Sequence, residues 1–105
     1  MAYRVVVSPQ AYAELDAYVE HIATKKQAPQ AAERWLRRAL AAVKTLATMP
    51  HRCPIAPEDA FRVGSSTIRM LIVDRCLFLY RVHEPTRTVR VLRFRHGSRL
   101  PFDEV

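Results

Sequence analysis

Apolar positions recur at helical spacing through the first half of the chain and alternate through most of the second. Residues 3–7 (Tyr-Arg-Val-Val-Val) are β-branched and alternating, which predicts a short strand ended by Ser8-Pro9. Ser8 suits a helix N-cap and Pro9 the first helical position. Tyr12, Leu15, Val19 and Ile22 then form one apolar stripe, with Glu14, Asp16 and Glu20 on the other faces of the helix. Thr24-Lys25-Lys26-Gln27 ends this helix, placing two lysines beside the negative end of its dipole. Pro29 opens a second helix with a buried stripe of Ala32, Trp35 or Leu36, Ala39, Val43 and Leu46, closed by Met49-Pro50.

A proline-rich connection over 51–60 follows, and beyond it the period changes from near 3.6 to 2. Residues 61–63 suggest a short edge strand broken by Gly64-Ser65-Ser66. Strands are predicted over 67–73, 76–82 and 88–94, joined by a tight turn at Asp74-Arg75 and a turn through His83-Glu84-Pro85-Thr86. Short connections make these strands antiparallel neighbours. The expected architecture is α+β: a two-helix hairpin packed on one face of a twisted antiparallel sheet, in the order β-α-α-β-β-β, with the first strand joining the sheet. Ile68, Met70 and Ile72 are expected to face the helices, with Arg69 on the opposite surface. Phe78, Tyr80 and Val82 are expected to face inward, with Arg81 outward. On the last strand either Leu92 and Phe94 face the core and Arg93 and Arg95 the open side, or the register is reversed. The first is preferred because it gathers Arg69, Arg81, Arg93 and Arg95 on one open face.

At 105 residues the chain is expected to form one domain, residues 1–105, and half its residues are hydrophobic, enough for a core. It contains no apolar run of about 18 residues, so no transmembrane helix is expected. The N-terminus lacks a signal-peptide layout, and Cys53 and Cys76 stand far apart, outside any zinc-ligand spacing; a cytoplasmic protein with reduced thiols is expected. His21, His51, His83 and His96 show no metal-ligand spacing either, so neither a metal nor a cofactor is expected.

The net charge of +7 is unevenly placed. Nine arginines and no lysine lie between Phe61 and Leu100, opposed by Asp74 and Glu84 alone, which gives this stretch +7 and leaves the remainder neutral. Arginine offers a planar fork that matches phosphate and carboxylate, so such a surface attracts a polyanion: RNA, DNA or an acidic protein segment. The excess avoids the helices, which argues against helix-turn-helix recognition. The sheet lacks the aromatic motif of RNA-recognition domains.

At this point the sequence resembles the RelE/ParE superfamily of toxins from type II toxin–antitoxin systems. The opening residues 3–11 are similar to the family's strand-to-helix junction, and Ala32 with Trp35 through Leu46 and Pro50 to its second helix and exit. Ile68-Arg69-Met70-Leu71 and Phe78-Leu79-Tyr80-Arg81-Val82 resemble its paired central strands. Val91-Leu92-Arg93-Phe94-Arg95-His96-Gly97-Ser98-Arg99 is similar to the ending frequent among ParE-like members. The resemblance implies a growth-inhibiting toxin of a plasmid-stabilisation module, held in hetero-oligomer by a cognate acidic antitoxin. ParE-like members inhibit DNA gyrase; RelE-like members cut messenger RNA on the ribosome, and fold alone does not choose between them.

An RNA-cleaving site needs a base for the 2′-hydroxyl, cations for the phosphorane and an acid for the leaving oxygen. The resemblance offers Arg69, Arg95 and His96 as catalytic residues in that case, His96 being the one that titrates near neutrality. It equally offers Arg69, Arg81, Arg93, Arg95 and Arg99 as residues that bind target or antitoxin. Glu58 and Asp59 are conceivable bases in the proline-rich connection. The C-terminal tyrosine and helpful lysines of nuclease members are missing: Phe102 has no hydroxyl, and residues 61–105 contain no lysine. Gyrase inhibition is therefore the preferred expectation, with the ribosome-dependent nuclease as the alternative and the question of enzymatic activity open.

Overall fold

The computed structural model describes residues 2–56 and 67–96. Strand β1 (Arg4–Val7) leads into helix α1 (Pro9–Glu20), whose last turn widens into a π-helical segment, His21–Lys25. Helix α2 (Pro29–Lys44) returns and tightens into a 3₁₀ turn, Thr45–Ala47. Strands β2 (Arg69–Val73), β3 (Cys76–His83) and β4 (Thr88–His96) complete the sheet, with a 3₁₀ turn at Glu84–Thr86 between the last two. Both helices begin at a proline, which has no N–H to lose at that position. Ser8 also caps α1, its hydroxyl accepting from Ala11 N–H at 3.1 Å.

The sheet order is β1-β4-β3-β2. The three later strands are antiparallel neighbours, whereas β1 lies parallel to β4, so the sheet is mixed. A parallel partner is reached because the whole helical hairpin intervenes between β1 and the strands that follow. Both helices pack on one face, and the core between the layers holds Ala11, Leu15, Trp35, Ala39, Val43, Leu46, Leu71, Val73, Phe78, Tyr80, Val89, Val91 and Phe94. The rings of Tyr18, Trp35, Phe78 and Phe94 meet at centroid distances of 5.0 to 5.9 Å, within the range of favourable edge and tilted pairs.

The stripe of α2 runs as expected through Ala32, Trp35, Ala39 and Val43 to Leu46. That of α1 is rotated: Ala11 and Leu15 are buried and Tyr12 is 51% exposed. The small Ala11 lets the helix start close against the sheet, just after Ser8 N–H donates to Val91 O at 2.9 Å.

The facing of β2 is the reverse of the sequence expectation. Asp74 and Arg75, both at positive φ (49° and 66°), make the two-residue turn that sets Val73 opposite Cys76, Leu71 opposite Phe78 and Arg69 opposite Tyr80. Directly opposed residues share a face, so Leu71 and Val73 join Phe78 and Tyr80 under the helices, and Arg69 points to that side too. Ile68 lies on the other face in a second cluster with Ala56, Leu77 and Leu79, with Met70 and Leu92 packed against it, and Ile72 is exposed.

Neither alternative for β4 holds throughout. The pairing shifts by one residue between Leu79 and Tyr80: Leu79 opposes Arg93 while Tyr80 opposes Val91, which leaves Leu92 as the extra residue of a β-bulge. The bulge lets Val89, Val91 and Phe94 all face the helices, with Leu92 on the other side. Phe61, Gly64, Glu58, Asp59, Gly97, Arg99 and Phe102 lie outside the described residues.

Candidate target and antitoxin interface

The four strand arginines do not share an open face. Arg69, on the helix side, donates from Nη1 to the carbonyls of His51 (3.2 Å) and Cys53 (2.8 Å) and so ties the connection after α2 to β2. Tyr80 reinforces that tie from the same row, its hydroxyl donating to Pro50 O at 2.7 Å in a buried position. Burial there pushes the Tyr80 phenol well above its usual range, and hydrogen bonding to Cys53 pushes the same way. Cys53 and Cys76 are both buried thiols, the latter raised chiefly by desolvation.

Arg93 and Arg95 oppose Leu79 and Leu77, on the face away from the helices, yet both turn to the edge of β4 and meet Glu14 of α1. That edge is open because β1 ends at Val7 and pairs no further than Val91. Ser8 donates its hydroxyl to Leu92 O at 3.1 Å, and α1 then runs along the strand where β1 has stopped. Glu14 Oε1 accepts Phe94 N–H at 2.8 Å, as a neighbouring strand's carbonyl would. Its Oε2 accepts from Arg93 Nε (3.0 Å), Arg93 Nη2 (2.8 Å) and Arg95 Nη1 (3.0 Å). Partial burial pushes the Glu14 carboxyl upward, but the hydrogen bonds from Arg93 and Phe94 and the two guanidinium charges outweigh it and hold it below the usual carboxylate range.

Beside this clasp, the His96 ring packs at a tilt against the Tyr18 ring, with centroids 4.5 Å apart. Together with Glu14, Ala17, His21, Phe94 and Arg95 they line a half-open groove of about 360 Å³. Arg69 and Arg81 line a second groove of about 350 Å³ with His51, Ile55, Thr67 and Val82. Near it an exposed cluster surrounds Glu84, whose carboxylate accepts from the Tyr3 hydroxyl at 2.9 Å and meets His51 Nε2 at 2.7 Å. Those two hydrogen bonds hold the Glu84 carboxyl low. The Arg87 guanidinium lies 5.3 Å from the Tyr3 ring centroid.

The structure thus brings Arg93, Arg95 and His96 together and sets Arg69 and Arg81 apart from them. Arg69 stands in the row of Tyr80 and His96 in the row of Cys76, four residues along β3 and two strands across. At about 3.3 Å per residue and about 4.8 Å per strand, the two backbones are roughly 16 Å apart. With Arg69 held to loop carbonyls in one groove and Arg95 held to Glu14 beside His96 in another, the three are not gathered around one point. The contacts of Glu14, Tyr18 and Ser8 with β4 escaped the sequence reading, and Glu14 is 79 and 81 residues from the two arginines it binds. The sequence cue for it was slight: a carboxylate on a stretch otherwise predicted to be solvent-facing, and two arginines at alternate positions of a distant strand.

A family model described as the ParE toxin of the type II toxin–antitoxin system parDE matches residues 5–101. Among solved structures, the chromosomal ParDE system of P. aeruginosa is similar to this chain at 18% identity and a TM-score of 0.71, covering 92% of this chain and 98% of that one. The toxin–antitoxin complex RelBE2 of Mycobacterium tuberculosis is similar at 20% identity and 0.58, covering 92% and 100%. The archaeal RelE–RelB complex of Pyrococcus horikoshii OT3 gives 16% and 0.59, covering 94% and 99%. At such identities the likeness shows the fold, a helical hairpin on a four-stranded mixed sheet. No curated protein matches the sequence significantly. Among the described residues no helix is long and apolar enough to cross a membrane.

Proposed function

This chain belongs to the ParE toxin family of type II toxin–antitoxin systems, and we propose that it stops growth by binding and inhibiting DNA gyrase, with a cognate antitoxin as its restraint. The observation that carries the choice of binding over hydrolysis is the engagement of the candidate catalytic arginines. Arg69 holds two loop carbonyls and Arg95 holds Glu14, on separate rows of the sheet. A cation already committed to fixed internal acceptors is poorly placed to follow charge onto a transferring phosphate.

For the antitoxin, the groove around Arg69 and Arg81 offers what an acidic amphipathic segment needs. The Arg81 side chain and the Arg69 guanidinium, held there by Nη1 alone, stand beside apolar side chains, with Ile55, on the lining itself, 59% exposed. Apolar anchors with charged surroundings are the usual composition of a binding hot spot. Arg99, which lies beyond the described residues, is kept as a proposed antitoxin contact.

The test uses the purified full-length chain with gyrase, ATP and relaxed plasmid, run beside a translation reaction. Loss of supercoiling with intact messenger RNA is expected. Cleavage of translated message with supercoiling unchanged would replace this reading by the ribosome-dependent nuclease, and loss of that cleavage in His96→Ala would then assign His96 the acid–base role.

A further inference from the structure

The helices were expected to be free of basic excess, and as a sum over the first half of the chain that is so. The sum conceals two opposite halves. Helix α1 carries Glu14, Asp16 and Glu20 and no basic residue; α2 carries Arg34, Arg37, Arg38 and Lys44 against Glu33 alone. The buried side of α2 is set by Ala32, Trp35, Ala39 and Val43. With 3.6 residues per turn, Arg34, Arg37, Arg38 and Lys44 then fall within an arc of about 120° on the opposite, exposed side. They extend over about 15 Å of helix axis.

Internal pairing does little to neutralise this row. Arg37 meets Glu33 at 3.4 Å and Arg38 meets Asp74, both as well-exposed pairs of the kind that contribute little. The Arg34 and Lys44 side chains are exposed and have no hydrogen bond or ion pair among the described residues.

We propose that this face of α2 is a binding surface for the phosphate backbone of duplex DNA. The chemistry of the face separates this occupant from an acidic protein. The large hydrophobic side chains exposed on the described surface are Tyr12, Met49, Ile55 and Ile72, and none of them belongs to α2. A protein segment binds through desolvated apolar or aromatic anchors, and between the cations of α2 the exposed side chain is the small Ala41. A polyanion whose affinity comes from counterion release needs no such anchor. Along about 15 Å of its axis a B-form duplex carries on the order of nine phosphate charges, enough to engage the whole row. Duplex binding goes beyond the gyrase reading, because it is measured with no gyrase present.

The test is fluorescence anisotropy of a labelled 30-base-pair duplex titrated with the full-length chain between 50 and 200 mM salt. Arg34→Ala/Arg37→Ala is the informative variant, since alanine favours helix and both side chains are exposed. Roughly tenfold weaker binding at the lowest salt is expected, with the slope of log affinity against log salt reduced in magnitude by about 2. Arg4→Ala/Arg90→Ala, with the same change of charge elsewhere, should bind close to the parent. An unchanged affinity and slope in the α2 variant would overturn the proposal, as would an equal loss in the control variant. Tighter binding of transfer RNA than of duplex, or displacement of the duplex by poly-glutamate at lower charge concentration than by unlabelled DNA, would assign the face to another partner.

Discussion

Glu14 does the work of a missing strand. Its carboxylate satisfies a β4 N–H and bridges two guanidinium groups, offsetting their mutual repulsion. Hydrogen bonds to charged groups contribute about 1.5–3 kcal/mol each, so Glu14→Gln should destabilise the protein by about 2 kcal/mol near neutral pH, read by urea unfolding. The pH dependence has a definite sign. The folded-state carboxyl titrates below its ordinary value, so its stabilisation is complete above the unfolded pKa and is lost as pH falls through the folded one. Below about pH 4.5 the wild-type and Glu14→Gln unfolding midpoints should therefore converge. Parallel curves down to acid pH would show that the carboxylate charge is immaterial. Away from the Glu14 clasp, Tyr80→Phe removes the donor to Pro50 O and leaves a buried carbonyl unsatisfied, at a cost of about 1–3 kcal/mol by the same measurement.

Among the elements, the Asp74-Arg75 turn fixes more than its length suggests. Neither residue is glycine, although both adopt positive φ, a conformation that costs L-residues roughly 1 kcal/mol or more each. Arg75→Gly relieves one of them and should raise stability by about 0.5–1 kcal/mol. A fall in the thermal midpoint would show that the arginine side chain contributes more than its backbone costs. The same turn shows what was legible in the sequence. Its position was read correctly, and a two-residue turn at 74–75 already pairs Leu71 with Phe78 and Arg69 with Tyr80. Since Phe78 and Tyr80 were assigned to the core, the facing of β2 followed from the turn; the alternation of Ile68, Met70 and Ile72 pointed the other way because a small sheet with apolar clusters on both faces has no polar side to mark. The bulge at Leu92 was beyond such reading. Val89, Val91, Leu92 and Phe94 are all apolar, so nothing in residue type says which one steps out of register. The helices, with Ser8, Pro9, Pro29 and the stripe of α2, were legible almost to the residue because one of their faces is charged. The contact from Glu14 to β4 was not, since it joins residues about eighty positions apart.

Taken over the whole molecule, arginine has two uses, and a single sum of charge cannot tell them apart. The reading from sequence gathered the arginines of the last strands onto one open face and made that face the point of attack. The structure instead binds Arg69, Arg93 and Arg95 to internal acceptors, where they hold a loop and a strand edge in place, while α2 carries its basic residues outward. The toxin family stands on the match over residues 5–101 and needs no such face. The two uses predict two kinds of failure when variants are induced in bacteria without antitoxin. Arg69→Ala and Arg95→Ala should lose growth inhibition only as far as they lose thermal stability, because their effect reaches the target through the fold. Adding Arg75→Gly to Arg69→Ala, whose site lies at the far end of β2 from the turn, should then restore stability and inhibition together, since separated sites add nearly independently. Arg34→Ala/Arg37→Ala should melt like the parent and inhibit less, and Arg75→Gly should not rescue it. If Arg69→Ala abolished inhibition at an unchanged melting temperature, its guanidinium would have to be assigned to the target after all, and the carbonyls of His51 and Cys53 would be only its resting place in the free toxin.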